Sequence, residues 1–312
     1  GYGANYSDLF EVKYLNDETS ALKSKGWQVM DDPYYEGRQL IYNDHSGVLE
    51  DAMFRTGVLQ EHYLNFSGGN ENGAFMASAG YYDEDGMAYG TSYRRFTGNV
   101  SGNYQVLPFL KVKASANLMW STKPGLWTSE FNFFYRTRSQ RPTWNPYLED
   151  GSPASGFGTS DGNAEYWLDK YVAKNSTQRT TFSGGFTADI IKDHLILDAN
   201  ASVLYYQYQN EYFWKAYKQQ NAGLNASRSA NNEIEKYNQI QTNATLTYKN
   251  VFNDVHDLNV MIGGEYYTYD WYEFYANVHG APTDDIPTLN VAPDYDKVSS
   301  SKTAYRILSA FG

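Results

Sequence analysis

The 312-residue chain contains no cysteine, which excludes disulfides, thiolate chemistry and cysteine-based metal sites. It also lacks any run approaching the ~18 apolar residues that a membrane helix needs. Strand-built spans stay open, because a barrel strand needs only ~10 residues with every second one apolar. Basic residues are short: 25 Lys and Arg stand against 36 Asp and Glu, giving a formal net charge of -11. That balance argues against nucleic acid, whose binding rests on neutralising phosphate. Leu, Ile and Val are sparse for this length. Tyr, with 30 copies, leads a composition of Phe, Gly, Asn, Ser and Thr that suits strands with one wet face. The opening Gly1 to Asn5 has neither the basic region nor the apolar core of a signal peptide. Either a leader has been removed or the chain begins inside a longer polypeptide.

What is present is a period of two. Phe96, Gly98, Val100, Gly102, Tyr104 and Val106 fall on one face of a segment whose other face is Thr97, Asn99, Ser101, Asn103 and Gln105. Leu110, Val112, Ala114, Ala116, Leu118 and Trp120 then alternate with Lys111, Lys113, Ser115, Asn117 and Ser121, with Met119 as the lapse. Successive side chains of a strand point to opposite faces, so the pattern predicts half-wet strands. Nine segments follow the rule: 58–69, 74–82, 93–105, 110–120, 178–190, 194–209, 236–249, 258–269 and one opening at Lys302. Before them, Leu9, Phe10, Val12, Leu15 and Leu22 have rough helical spacing, which predicts a helix within Asp8 to Ser24.

The connections alternate between short (70–73, 107–109, 191–193, 250–257) and long (83–92, 121–177, 210–235, 270–301). Outer-membrane barrels place tight turns on the periplasmic side and large loops outside. Aromatics gather near strand ends at Tyr104, Phe109, Trp120, Tyr205 to Tyr208, Tyr248, Phe252 and Tyr266 to Trp271. Interfacial girdles explain them, and so does plain strand preference. The fold class expected is all-β: a transmembrane antiparallel β-barrel, partial at about nine strands of a larger barrel. The lumen face includes Asn99, Ser101, Asn103, Lys111, Lys113, Asn117, Asp198 and Asn200.

From Thr56 the chain resembles a known family. Thr56-Gly57-Val58-Leu59-Gln60-Glu61-His62, followed by Asn65-Phe66-Ser67-Gly68-Gly69-Asn70, is similar to the strand-and-turn signature of SusC/RagA-like TonB-dependent outer-membrane transporters. Ala77 to Tyr81 leading to Gly86, Tyr93 to Phe96 leading to Asn99, and Asp284-Asp285-Ile286-Pro287-Thr288-Leu289-Asn290 match in order. The resemblance implies an importer of oligosaccharides or peptides in the bacterial outer membrane, capped by a SusD-like lipoprotein. It implies no catalysis and no cofactor. Energy comes from the TonB complex through a plug domain and a TonB-contacting segment that these residues do not contain. Residues 1–56 then form an outside loop region and 57–312 part of the barrel, an internal piece of a larger protein. A passive porin, or a secreted, soluble carbohydrate-binding β-sandwich, remains the alternative.

Other motifs carry little chemistry. Gly158 to Gly162 matches Gly-x-Ser-x-Gly, yet no apolar strand precedes it as a nucleophile elbow requires. The five histidines, His45, His62, His194, His256 and His279, lack zinc-ligand spacing. Asp83-Glu84-Asp85 reads as a solvated acidic loop before it reads as a calcium seat. The segment 121–177 is different, mixing Trp127, Phe131, Phe133, Phe134, Tyr135, Trp144, Tyr147, Tyr166 and Trp167 with Arg136, Arg138, Arg141 and small polar residues. Aromatic faces amid hydrogen-bonding groups suit sugars. They equally suit a protein interface or a loop packed on itself. Trp127, Phe131, Phe133, Tyr135, Arg136, Arg138, Trp144 and Trp167 are the candidate ligand- or partner-binding residues.

Overall fold

Each alternating segment pairs with the next in chain order. The computed structural model describes residues 9–156, 162–218 and 223–312, apart from the side chains of residues 130 and 131. Among the described residues, β1 (Val12–Tyr14), β2 (Gln28–Asp31) and β3 (Gln39–Tyr42) form a small sheet. Nine strands form the large one: β4 (Val58–Asn70), β5 (Gly73–Asp85), β6 (Ser92–Leu107), β7 (Leu110–Pro124), β8 (Tyr171–Ile191), β9 (Leu195–Trp214), β12 (Ala230–Phe252), β13 (His256–His279) and β14 (Asp294–Phe311). A two-residue pair, β10 (Tyr217–Lys218) and β11 (Leu224–Asn225), decorates the β9–β12 connection. The helices are short: α1 (Val48–Met53), α2 (Glu130–Arg138) and α3 (Ala164–Lys170). Among the described residues no helix is long and apolar enough to cross a membrane.

Register assigns the faces. Asn99 pairs with Asn117, Ser101 with Ser115 and Asn103 with Lys113, so the polar residues of β6 and β7 share one face. They are more enclosed than their neighbours: Asn99, Ser101 and Asn103 are half-buried, whereas Phe96, Val100 and Tyr104 are 44%, 59% and 51% exposed. Crowding on one side and exposure on the other is what a curved sheet produces. The apolar face is therefore outward. It forms a band on every strand, from Tyr104 to Phe96 on β6 and from Leu195 to Tyr205 on β9, roughly 26 to 33 Å along the strands at ~3.3 Å per residue and, with barrel strands tilted, in keeping with a band ~25 Å tall. Aromatics close its long-connection edge at Tyr81, Phe96, Trp120, Tyr205 and Tyr266. Above that edge the same face turns polar, at Asp83, Arg94, Gln207, Asn238 and Asp270.

The strands outrun the lengths expected from alternation. β8, β9, β12 and β13 continue past the band to Tyr171, Trp214, Ala230 and His279. Once both faces meet water, apolar alternation is no longer needed and the strand signal fades. The predicted long loops are correspondingly shorter, and much of what was assigned to them is sheet. The predicted helix near the start is also corrected. Val12–Tyr14 is a strand paired with Leu40–Tyr42, and only Ser20–Lys25 is helical, of 3-10 type. Asn16 and Thr19 exchange backbone-to-side-chain hydrogen bonds at 2.8 Å each, a local turn that competes with an α-helix. Asp8 lies outside the described residues.

The long connections pack on one another at one end of the sheet. Leu49, Met53, Ala88, Phe133 and Ala164 make one core, flanked by Phe54, Leu126, Trp127 and Leu168. Leu9, Trp144 and Ala154 make a second, and Phe213, Ala230, Val278 and Ala281 a third. Gly90, in the β5–β6 connection, has φ +79°, and a Cβ there would lie 2.4 Å from a methyl group of Leu168. Both its backbone and its contact with α3 require glycine.

Candidate functional site: inner wall and outer loops

The inner face carries the polar set expected of a lumen. Lys113 Nζ lies 3.9 Å from Asp198 Oδ2, which also accepts a 2.7 Å hydrogen bond from Thr187. Asn200 donates to Asp198 and, at 3.2 Å, to Asn243. Asn99 donates to Asn117. Lys111 sits opposite Thr187, which sits opposite Asp198, so four strands contribute to one network. All eight residues predicted for the lumen share this face. Ser101, Asn103, Lys111, Lys113 and Asn200 line a hollow of about 640 Å³. Gly185 faces Asn200 across the strand pair, where a Cβ would come within 2.5 Å of the Asn200 amide oxygen.

Higher on the same face lies a feature that alternation hides. Tyr206 of β9 stacks on Tyr237 of β12 with ring centroids 4.5 Å apart and planes 16° apart. Tyr237 continues to Tyr269 of β13 at 5.5 Å, and Tyr269 to Tyr305 of β14 at 5.1 Å. Trp271 donates from Nε1 to Glu235 beside this row. The aromatics at 205–208 and 266–271 thus divide. Tyr205 and Tyr266 face outward as a girdle, whereas Tyr206, Tyr267, Tyr269 and Trp271 face the lumen, one residue out of phase. The missed signal was parity: tyrosines at positions where an inner face otherwise carries Asn, Ser or Gln.

The loop candidates separate by burial. Phe133, Trp144 and Trp167 are at most 1% exposed, buried among the loops. Trp167 donates to the Ser155 carbonyl at 3.1 Å and meets Trp214 and Tyr217 edge-on, tying α3 to the top of β9. Trp127 packs edge-on against Phe133 at 5.8 Å. Tyr135 is 52% exposed with the Arg136 guanidinium 5.1 Å from its ring centre. Arg138 is exposed and pairs with Glu50 at 3.4 Å. Phe131 belongs to α2, but its side chain lies outside the described residues, as do residues 158–161 of the Gly-x-Ser-x-Gly match.

Polar clamps join the loops. Glu11 accepts hydrogen bonds from Asn43, at 2.5 Å, and from Asn145, and lies 3.1 Å from His45 Nε2. Burial pushes its carboxyl up, but these partners outweigh burial and leave it below the usual range. Tyr147, buried and hydrogen-bonded to Glu165, has its phenol pushed up to about 12. Asp83 and Asp85 pair with Arg94 and Arg55, and no cluster of three metal-ligating side chains occurs among the described residues.

A curved antiparallel sheet with an apolar outward band, an aromatic edge and a polar inner face is the wall of a transmembrane β-barrel. No family model matches the chain. The TonB-dependent receptor P39 of Formosa agariphila is 23% identical over 312 aligned residues, covering 92% of this chain and 28% of that protein. The TonB-dependent receptor SusC of Bacteroides thetaiotaomicron is 36% identical over 52 residues, 17% of this chain and 5% of that one. Among solved structures, the RagAB peptide importer in the open-open state superposes with a TM-score of 0.72 at 19% identity, over 98% of this chain and 33% of its own. The RagAB peptide transporter gives 0.71 at 20% identity, over 86% and 31%. These likenesses establish the fold. In sequence and fold the chain is similar to a barrel segment of these SusC- and RagA-type proteins, and it spans about a third or less of the length of each of the four.

Proposed function

We propose that this chain forms part of the barrel of a TonB-dependent importer in the bacterial outer membrane. It takes up oligosaccharides or peptides beneath a SusD-like lipoprotein lid. The observation that carries the reading is the pairing of a lipid-compatible outer band with a polar, tyrosine-lined inner wall. The names of its sequence relatives, TonB-dependent receptors, support it. Short turns then face the periplasm, and residues 9–57 with the loop helices face outside. On that outer surface Tyr135, Arg136, Arg138 and Trp127 contact ligand or lid, while Phe133, Trp144 and Trp167 hold the surface in shape. The protein performs no reaction and needs no cofactor.

The test is purification of the complete polypeptide from membranes in mild detergent, with intact mass and co-purifying chains determined. Uptake by cells with and without a functional TonB complex follows. A mass several times that of this chain, a lipoprotein companion and energy-dependent uptake support the importer. Uptake that persists without TonB indicates a passive pore. A soluble lone species folding without detergent returns the secreted sandwich.

A further inference from the structure

We propose that the row Tyr206, Tyr237, Tyr269 and Tyr305 is a hydrogen-bonding track for a linear glycan, running across four adjacent strands of the inner wall. This rests on the importer reading and deepens it to a substrate class. The rings of the row lie 4.5, 5.5 and 5.1 Å apart, with planes 16° to 35° from parallel. Their faces are therefore covered by one another, and the edges bearing the hydroxyls are what the row presents to the lumen. Stacking of sugar faces on rings is largely unavailable along it. A repeating array of phenolic O–H groups remains.

Two of those groups lack protein partners. Among the described residues no hydrogen bond reaches the hydroxyl of Tyr237 or Tyr269, although both side chains are half-buried. Neither hydroxyl is engaged by the protein, so both are free to donate to or accept from a ligand in place of water. The inner face adds Gln239, opposite Tyr269, and Glu235, both capable of receiving sugar hydroxyls. Spacing selects the ligand. An extended peptide advances ~3.3 Å per residue, out of step with the row. Successive rings of an extended glycan repeat at close to the tyrosine interval, so one hydroxyl meets each sugar. The row begins beside Tyr205, where the wall leaves the membrane band, a level every imported molecule passes.

The experiment uses the complete transporter in detergent and titrates it by calorimetry. The probes are linear six-unit gluco-, manno- and xylo-oligosaccharides and a neutral six-residue peptide. Tyr237→Phe with Tyr269→Phe removes two hydroxyls and keeps the stack. The expected result is binding of at least one oligosaccharide by the parent and about tenfold weaker binding by the double variant, with peptide binding unchanged. Oligosaccharide binding that is equal in parent and variant overturns the proposal, as does a parent that binds none of the sugars. TonB-dependent uptake of the peptide alone leaves the importer standing and removes the glycan track. Tyr237→Leu serves as control, because loss of its stack moves stability as well as affinity.

Discussion

Arg228 donates from Nε to Asp284 Oδ1 at 2.6 Å, and the same oxygen accepts the backbone N–H of Ala216 at 2.9 Å. The Asp284 to Asn290 stretch, which resembles a family loop in sequence, thus acts as a clamp holding the β9–β12 connection to the β13–β14 connection. Burial pushes the Asp284 carboxyl up, but the Ala216 amide and the Arg228 guanidinium outweigh it and hold it below the usual range. A carboxylate depressed in the folded state contributes stability above its unfolded pKa, and that contribution disappears as pH falls through the folded one. The clamp is therefore intact at neutral pH and opens in acid, below about pH 4. Limited proteolysis within residues 215–229 should accelerate there. In Asp284→Asn it should already be fast at pH 7.

Gly90 makes a second prediction. Gly90→Ala meets Leu168 and a left-handed backbone at once, costing roughly 1–3 kcal/mol. Hydrogen exchange should rise in α1, α2 and α3 and stay unchanged in β12 and β13. Equal protection throughout would mean that α3 is not seated through this contact.

Val100 and Ser101 are neighbours on opposite faces of β6. Val100→Arg places a charge near the middle of the lipid band at ~2–4 kcal/mol, whereas a charge at Ser101 enters a wet lumen at little cost. Denaturant midpoints of the complete barrel refolded into vesicles should separate the two. Similar midpoints would undo the assignment of faces.

The loop aromatics divide in the same manner. Trp167→Ala opens a cavity in a fully buried position and should cost about 3–5 kcal/mol. Tyr135→Ala should leave the thermal transition within about 0.5 kcal/mol while weakening ligand or lid capture. If both variants shift the transition equally, Tyr135 is part of the core and leaves the proposed contact surface.

The strands were legible wherever lipid enforces alternation. Val100 and Asn99 announce their faces because one must meet hydrocarbon and the other water. Above Tyr205 that constraint ends, so nothing in Gln207 or Gln209 says how far β9 continues. The lumen set was legible for the same reason as the band, being its complement. The tyrosine row was not, because Tyr206 and Tyr269 suit a girdle as well as a lumen and only register separates them. Phe133, Trp144 and Trp167 looked like contact residues because composition records aromatic content and not which rings meet one another. Burial separates them from Tyr135.

The long-connection end of this barrel wall is built from two materials. On one side β12 and β13 carry a continuous ladder from Ala230 to Phe252, every residue tied to its neighbour strand. On the other, β5 and β6 stop at Asp85 and Ser92, and the rim is completed by three short helices resting on a small apolar core. Such a rim yields unevenly. The laddered side behaves as a fixed jamb, and widening falls to the helical side, where a few side-chain contacts rather than a sheet must give way. In the proposed importer, cross-linking α1 to α3 should therefore restrict the passage of bulky cargo far more than a cross-link of equal span between β12 and β13.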